Sequence, residues 1–161
     1  MRILGIDPGL ASTGAVVINA DVDLEILHKC VVRTRSDQVI TVRLGTIADE
    51  VERIIDTYKP GIMALETAFI RRDAPQTGLS LGKVLGVMVL TAHRKGLELM
   101  EITPREAKET LTGYGDATKG QIQRAVSVKL GLRDYLRPDH IADAAGIALT
   151  AASILATLRR R

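Results

Sequence analysis

The order of hydrophobic segments along the chain is the feature that most restricts its fold. Short apolar stretches bounded by turn residues alternate with longer stretches in which apolar residues recur at helical spacing. The order is three strands, a helix, a strand, a helix, a strand and then further helices. Consecutive strands pair readily as an antiparallel meander, whereas strands separated by helices favour parallel pairing. The sequence therefore predicts an α/β fold with a five-stranded mixed sheet flanked by helices on both faces.

The bounds of these segments follow from their periodicity and from the turn residues between them. The predicted strands cover residues 2–7, 13–18, 24–32, 61–65 and 97–102. The predicted helices cover residues 39–58, 77–95, 103–111, 118–130 and 138–158, and a polar loop is expected at 67–76. No repeat or domain boundary is visible, so residues 1–161 are expected to form one domain.

Glycines 78, 82 and 86 lie on one face of the helix predicted at 77–95. Glycines four residues apart let another backbone approach closely. This helix is therefore a candidate interface between two copies of the chain, or else a core helix.

Composition excludes several classes of protein. Apolar residues make up 46% and charged residues 25% of the chain, as in globular proteins. The single cysteine, Cys30, excludes an internal disulfide and fits a reducing compartment. The opening residues lack the apolar segment of a signal peptide, and no uninterrupted apolar run is long enough to span a bilayer. We therefore expect a cytoplasmic protein.

The charge balance does not by itself identify a partner. Lysine and arginine number 22 against 19 acidic residues, a formal net charge of +3. Basic residues recur near the candidate loops and in the tail Arg159–Arg161, where they either follow phosphates or form a solvated surface.

Three acids occupy positions that commonly host chemistry. Asp7 ends the first strand, Glu66 ends the fourth, and Asp143 lies in the first turns of the last helix. His140, three residues before Asp143, projects from the same helical face. If the first and fourth strands are neighbours, the four side chains converge at one edge of the sheet. Such a cluster suits hard divalent cations, and two ions roughly 3.5–4 Å apart can drive phosphodiester hydrolysis.

Each of these residues also has a purely structural explanation. Asp7 can be the first residue of a Pro-Gly turn, and Glu66 can be a capping acid. Asp139 and Asp143 can stabilise the positive end of the last helix. His140 can be a structural histidine. Only the joint pattern favours a catalytic site.

The residues in this pattern resemble the RuvC family over nearly the whole chain. The similarity lies in GIDPG at 5–9, ALE at 64–66 and HIADAAGIAL at 140–149. It implies a ribonuclease-H-like fold and cleavage of Holliday junctions. By resemblance, Asp7, Glu66 and Asp143 match metal-binding acids, and His140 stands where members carry aspartate or histidine. A neutral imidazole removes one negative charge and shifts preference from Mg²⁺ towards Mn²⁺. Asp139 is expected to assist the site or to cap the helix.

The resemblance also assigns residues outside the acidic cluster. Lys108 and Lys119 match two functional lysines, which either neutralise charge in the transition state or contact phosphates. Phe69, the only phenylalanine, matches an aromatic that probes the junction, with Arg71 and Arg72 beside it. An apolar tip there can wedge between bases while the arginines bind phosphates, although Phe69 can also fold into the core.

The resulting hypothesis is a homodimer that binds a four-way DNA junction in recombination and repair. Two identical sites, each with two Mg²⁺ or Mn²⁺ ions, would nick two opposed strands and leave 5′-phosphate ends. The family implies a branch-migration helicase as partner. Two alternatives are an RNA-processing nuclease of the related ribosomal-RNA-maturation family and a non-catalytic junction-binding protein.

Overall fold

A five-stranded mixed sheet forms the centre of the molecule, in the strand order β3-β2-β1-β4-β5. The computed structural model describes residues 1–21, 23–67 and 75–159. The strands are β1 Arg2–Asp7, β2 Ser12–Ala20, β3 Leu24–Arg33, β4 Ile62–Glu66 and β5 Glu98–Ile102. β1, β2 and β3 form an antiparallel meander, while β4 pairs parallel with β1 and with β5. The predicted mixed sheet is confirmed.

In the described part of the chain, five helices cover the two faces of the sheet. They are α1 Ile40–Tyr58, α2 Pro75–Lys95, α3 Pro104–Thr112, α4 Lys119–Lys129 and α5 Asp139–Leu158. Thr103 and Thr118 each begin a helix with a capping box, in which the hydroxyl accepts from the third backbone N–H and a Glu or Gln side chain accepts in return. Because these caps are encoded locally, the starts of α3 and α4 lie where the sequence predicts them.

Each face of the sheet has its own hydrophobic core. On one side, α1 and α2 cover large aliphatic side chains, including Leu4, Ile6, Ile54 and Met88. On the other side, α5 lies directly on β1 and β2, and α3 and α4 pack against it. We call these two sides the α1 face and the α5 face.

The second helix differs from its prediction in two respects. It begins at Pro75, two residues earlier than expected, so the last part of the predicted loop is helical. Gly82 and Gly86 do not approach another backbone in the described part of the chain, where nothing lies within 4 Å of a Cβ built on either glycine. The opposite side of α2 buries Val84, Met88 and Ala92. The helix is thus a core helix on one side and presents its glycines on the other.

Among the described residues, α5 alone is long and apolar enough, by length and mean hydropathy, to cross a membrane. Its sequence is interrupted by His140 and Asp143, and more than half of the apolar stretch is buried within the fold. Packing on β1 and β2 accounts for this apolar character.

Candidate active site

Asp7 and Glu66 lie side by side because they end two parallel, adjacent strands. Ile6 of β1 is paired with Leu65 of β4, so the next residue of each strand is an acid. Side chains alternate between the faces of a strand, and Ile3 and Ala64 contribute to the core on the α5 face. Asp7 and Glu66 therefore project towards α5.

Two glycines let the start of α5 approach the sheet closely. A Cβ on Gly14 would overlap the backbone carbonyl oxygen of His140, and a Cβ on Gly5 would overlap that of Ala144. Only glycine permits backbone contact of this kind without displacing the helix. Gly5 and Gly14 therefore determine how near His140 and Asp143 come to the acids of β1 and β4.

His140 bonds directly to Asp7. Its Nδ1 lies 2.7 Å from Asp7 Oδ2, and the carboxylate is the acceptor when the ring carries its proton on Nδ1. The Asp7 side chain is 16% exposed and that of His140 is 45% exposed, so the pair extends from the buried sheet edge to solvent. This bond orients the imidazole, and in the tautomer with the proton on Nδ1 the lone pair is on Nε2.

The acids repel one another. Burial raises the pKa of Glu66 to about 7, and the neighbouring charges of Asp7 and Asp143 add to this effect. Burial also raises the pKa of Asp7; the bond from His140 opposes this increase, while the charge of Asp143 adds to it. Negative charge at this place is therefore incompletely compensated by the protein.

Lys119, at the start of α4, lies beside the cluster. Its Nζ is 3.5 Å from Asp143 Oδ2 and 3.0 Å from Asp139 Oδ2. Asp139 also accepts from Arg137 at 2.8 Å and from Gln123 at 3.2 Å. These partners hold Asp139 in place, so it can act as an anchor for the lysine.

Lys108 of α3 lines the cleft that Glu66, Lys119 and Asp143 also line. The structure thus brings together five of the six residues that the sequence predicts to be catalytic, Asp7, Glu66, Lys119, His140 and Asp143, and places the sixth, Lys108, on the wall of the same cleft.

The donor set fits a hard divalent cation, although it does not form a closed cage. Among the described residues, no three acidic, histidine or cysteine side chains are arranged to hold a metal ion as they stand. Asp7 is paired with His140 instead, and Asp143 faces Lys119. Three carboxylates with mutual repulsion and one imidazole nevertheless match the ligands that Mg²⁺ and Mn²⁺ accept. Side-chain rearrangement is required for these groups to bind an ion together.

The other predicted DNA-binding residues fall into two groups: some lie outside the described residues, and the basic tail lies away from the cluster. Phe69, Arg71 and Arg72 lie outside the described residues. Of the basic tail, Arg159 is described, and its guanidinium lies 3.5 Å from the Met1 sulfur. Met1 precedes β1 at the end opposite Asp7. The described part of the tail is therefore remote from the acids.

Several residues that position the site carry no recognisable signal in the sequence. Gly5 and Gly14 lie within the predicted strands 2–7 and 13–18, and the sequence does not indicate that a helix backbone packs directly against them. The contact of Gln123 with Asp139 joins residues on two different helices, and no local pattern predicts it.

Comparison with known proteins places the chain in one family. Residues 3–151 match the family model described as crossover junction endodeoxyribonuclease RuvC. The RuvC of Prosthecochloris aestuarii is 41% identical over 92% of this chain and 80% of its own length. The Thermus thermophilus RuvC structure has a TM-score of 0.91 and 30% identity, covering 98% of this chain and 96% of that one.

A second structure of T. thermophilus RuvC, in complex with Holliday junction substrate, has a TM-score of 0.89 and 28% identity, with the same coverage. The similarity in sequence and in fold thus extends over nearly the whole chain. The chain belongs to the RuvC family of crossover junction endodeoxyribonucleases.

Proposed function

We propose that this chain is a divalent-metal-dependent endonuclease that resolves four-way DNA junctions, with residues 1–161 forming one nuclease domain. The observation that carries this function is the convergence of Asp7, Glu66, Asp143 and His140 at one sheet edge, with Lys119 beside them. Membership of the RuvC family supplies the class of substrate. The physical arrangement supplies the groups that phosphodiester hydrolysis needs.

Asp7, Glu66, Asp143 and His140 are the residues that would hold two Mg²⁺ or Mn²⁺ ions. When bound there, divalent cations supply Lewis-acid activation of water and neutralise charge on the departing oxygen. The repulsion that raises the pKa of Glu66 supports this assignment, because a cation would relieve it. The bond between His140 Nδ1 and Asp7 keeps Nε2 available as a ligand or as a proton acceptor.

The reaction is an in-line attack of water on the phosphorus of the cut strand. The bond between phosphorus and the 3′ oxygen breaks, which leaves a 5′-phosphate and a 3′-hydroxyl. Lys108 and Lys119 neutralise the negative charge that develops on the phosphate oxygens. Lys119 can leave Asp143 for the phosphate while it remains paired with Asp139.

A homodimer fits the exposed side of α2. Leu79 is 58% exposed, Val89 42% and Leu90 48%, and they flank Gly82 and Gly86, whose Cβ positions face open space. An apolar stripe with glycines at its centre lets a second copy of the helix approach closely. A two-fold dimer would present two identical sites to a junction of matching symmetry.

Other contacts follow from the family. Phe69, Arg71 and Arg72 come shortly after Glu66 in the chain, and we assign them to the junction centre. A branch-migration helicase is the proposed partner, and the cytoplasm is the proposed location.

Mapping the cleavage products tests this function. Purified protein is mixed with a synthetic mobile four-way DNA junction, with duplex DNA or with structured RNA, in Mg²⁺ or Mn²⁺. We expect paired nicks in two opposed strands of the junction alone, with Mn²⁺ at least as effective as Mg²⁺. Asp7→Asn should abolish cleavage and retain junction binding, and retained cleavage would contradict the role of Asp7.

The other outcomes favour the alternatives. Cleavage restricted to RNA would indicate an RNA-maturation nuclease. Tight junction binding without nicks in either metal would indicate a binding protein. For the dimer, we expect Leu90→Glu to yield monomers in sedimentation analysis. The same change at the exposed Val128 of α4 should leave the mass unchanged.

A further inference from the structure

A groove of about 510 Å³ opens beside His140 and is separate from the cleft that Lys108 and Lys119 line. The turn between β1 and β2, residues 8–12, forms one wall, and the first two turns of α2 form the other. Among the described residues, the groove and the lysine cleft have no lining residue in common. We call the first of them the turn groove. Because His140 lines it, a strand that is cut at the catalytic cluster can extend into it.

The β1–β2 turn is held in place from inside the protein. Thr13, which is fully buried, donates its hydroxyl to the Gly9 carbonyl oxygen at 2.7 Å. Thr34 donates its hydroxyl to the Leu10 carbonyl oxygen at 2.5 Å and its backbone N–H to the Ala11 carbonyl oxygen at 3.1 Å. Three consecutive carbonyl groups of the turn therefore have partners. The turn is a fixed wall of the groove, and its backbone conformation is set before any ligand binds.

The N–H groups in the middle of this turn are available to a ligand. Neither Leu10 nor Ala11 donates its backbone N–H to an acceptor in the described part of the chain, and both residues line the turn groove. Backbone N–H groups require a hydrogen-bond acceptor, and they bind anionic oxygens more strongly than neutral ones. Ser12, Thr77 and Ser80 add hydroxyl groups to the same lining. The turn groove is therefore rich in neutral donors.

The chemistry of this lining suits a phosphate and its sugar. Among the described residues, no carboxylate lines the turn groove to repel an anion, and no lysine or arginine lines it either. A basic side chain so close to Asp7 would pair with that acid and compete with a bound cation, whereas neutral donors would not. Leu10 and Leu81 offer an apolar surface for the sugar. The volume lies within the range of small-ligand sites, roughly 300–1,000 Å³.

We propose that the turn groove binds the phosphate next to the cut one in the same DNA strand, through the N–H groups of Leu10 and Ala11 and the hydroxyls of Ser12, Thr77 and Ser80. This inference rests on the proposed nuclease function. The phosphate on the other side of the cut falls to the lysine cleft. Phosphate contacts fix the register of a nucleic acid on a protein, and two of them would align the cut phosphate with the acids.

The first test neutralises one flanking phosphate at a time. On a junction with a fixed branch point the cut positions are mapped, and a methylphosphonate replaces the phosphate on one side of the cut or on the other. The cut phosphate itself stays intact. We expect the replacement on the side of the turn groove to lower the single-turnover rate about tenfold, the effect of losing charge-assisted hydrogen bonds. Equal rates on all three junctions would overturn the proposal.

The second test assigns that sensitivity to the turn groove. Ser80→Ala should slow cleavage of the unmodified junction about fivefold. It should slow cleavage much less when the neighbouring phosphate on the groove side is already neutral, because the two changes remove the same contact. The matched control is Ser153→Ala, a half-buried serine of α5 that lines a different groove. It should retain the wild-type rates on every junction. An equal slowing of all three junctions by Ser80→Ala would contradict the proposal.

A third measurement does not depend on cleavage. Junctions with single methylphosphonates near the branch point are bound to the Asp7→Asn protein, and their affinities are compared. We expect one position to weaken binding about fivefold, a sensitivity that Ser80→Ala removes and Ser153→Ala keeps. If no position couples to Ser80 in this way, the proposal is overturned. If the wild-type protein cuts no junction, the nuclease function fails, and the binding measurement still decides whether the turn groove takes a phosphate.

Discussion

The two faces of the sheet differ in how closely their helices approach it. The acids lie on the face where the approach is closer. The α1 face is filled with large residues such as Ile6, Ile54 and Met88. The α5 face also buries large aliphatic side chains, but half of the buried residues of α5 itself are alanines, and glycines of β1 and β2 lie beneath it. Large side chains bury much apolar area, whereas small ones let backbones meet. The face with close backbone contact is the one that carries the acids.

Backbone atoms cannot change rotamer, so an element held by backbone contact is positioned more narrowly than one held by flexible side chains. His140 and Asp143 extend from the first turn and a half of α5, where this contact occurs. Substitutions on the α5 face are therefore expected to affect cleavage, and substitutions on the α1 face to affect mainly stability.

The largest effect is expected from adding one methyl group on the α5 face. In Gly14→Ala the new Cβ would overlap the carbonyl oxygen of His140, so α5 must shift. We expect cleavage to fall by at least about a hundredfold and stability to fall by about 1–3 kcal/mol, the usual cost of overpacking. The measurements are nick rates and urea denaturation.

The same substitution on the α1 face is its control. Nothing lies within 4 Å of a Cβ on Gly45 of α1. Gly45→Ala should leave cleavage unchanged and stabilise the protein by about 0.5–1 kcal/mol through helix propensity. If both variants behave alike, close packing of α5 does not position the site.

The second prediction removes bulk from the α1 face. Ile54 is fully buried, and Ile54→Ala should lower the free energy of unfolding by about 2–5 kcal/mol. At temperatures where the variant stays folded, the rate of cleavage and the positions of the nicks should remain those of the wild type. Ile54→Val should cost about 0.5–1.5 kcal/mol and serves as the graded control. Altered nick positions would show that the α1 face also shapes the site.

The third prediction concerns charge. Since burial raises the pKa of Glu66 from 4.5 to about 7, the folded state retains a proton that the unfolded state has lost. Between those pH values stability falls as pH rises, and above about pH 7 the loss is complete. In metal-free protein, Glu66→Gln should therefore be more stable than the wild type at pH 8, by about 1–2 kcal/mol after solvent screening, and equal to it near pH 4.

The α1 face supplies a control of opposite sign for this prediction. The pKa of Glu50 is lowered, chiefly by its hydrogen bond with Arg53. Glu50→Gln should therefore be slightly less stable than the wild type at pH 8. Added divalent cation should stabilise the wild type more at pH 8 than at pH 6 and should have less effect on Glu66→Gln. Thermal unfolding at several pH values provides the measurements.

The smallest effect is expected at Asp139. Asp139→Asn removes the charge that anchors Lys119, and we expect a two- to fivefold slower cleavage, about the range set by exposed ion pairs. Junction binding should weaken less than the rate. Asp56→Asn on α1, which breaks a comparable pair with Lys95, should change neither quantity. A loss of binding without a loss of rate would indicate that Asp139 acts on DNA contacts instead.

Much of the fold is predictable from residue order, because its signals are local. The strand from Arg2 to Asp7 is a short apolar run that ends at a turn, and Thr103 and Thr118 carry complete capping boxes. The start of α2 was misplaced by two residues, since Pro75 and Gln76 read equally well as loop residues. The exposure of one side of α2 was also not predictable, because glycine spacing does not state which surface it faces.

Residue order alone is sufficient to predict the mixed sheet and the order of its elements. It also identifies Asp7, Glu66, His140 and Asp143 as candidate site residues. Strand ends and helix periodicity are properties of neighbouring residues, and neighbours are visible in a sequence. The bond between His140 and Asp7 and the anchoring of Lys119 by Asp139 required the tertiary structure. Each joins residues distant in the chain, one through the packing of α5 on β1 and the other through the packing of α4 against α5, and this packing depends on how closely helices and sheet can approach.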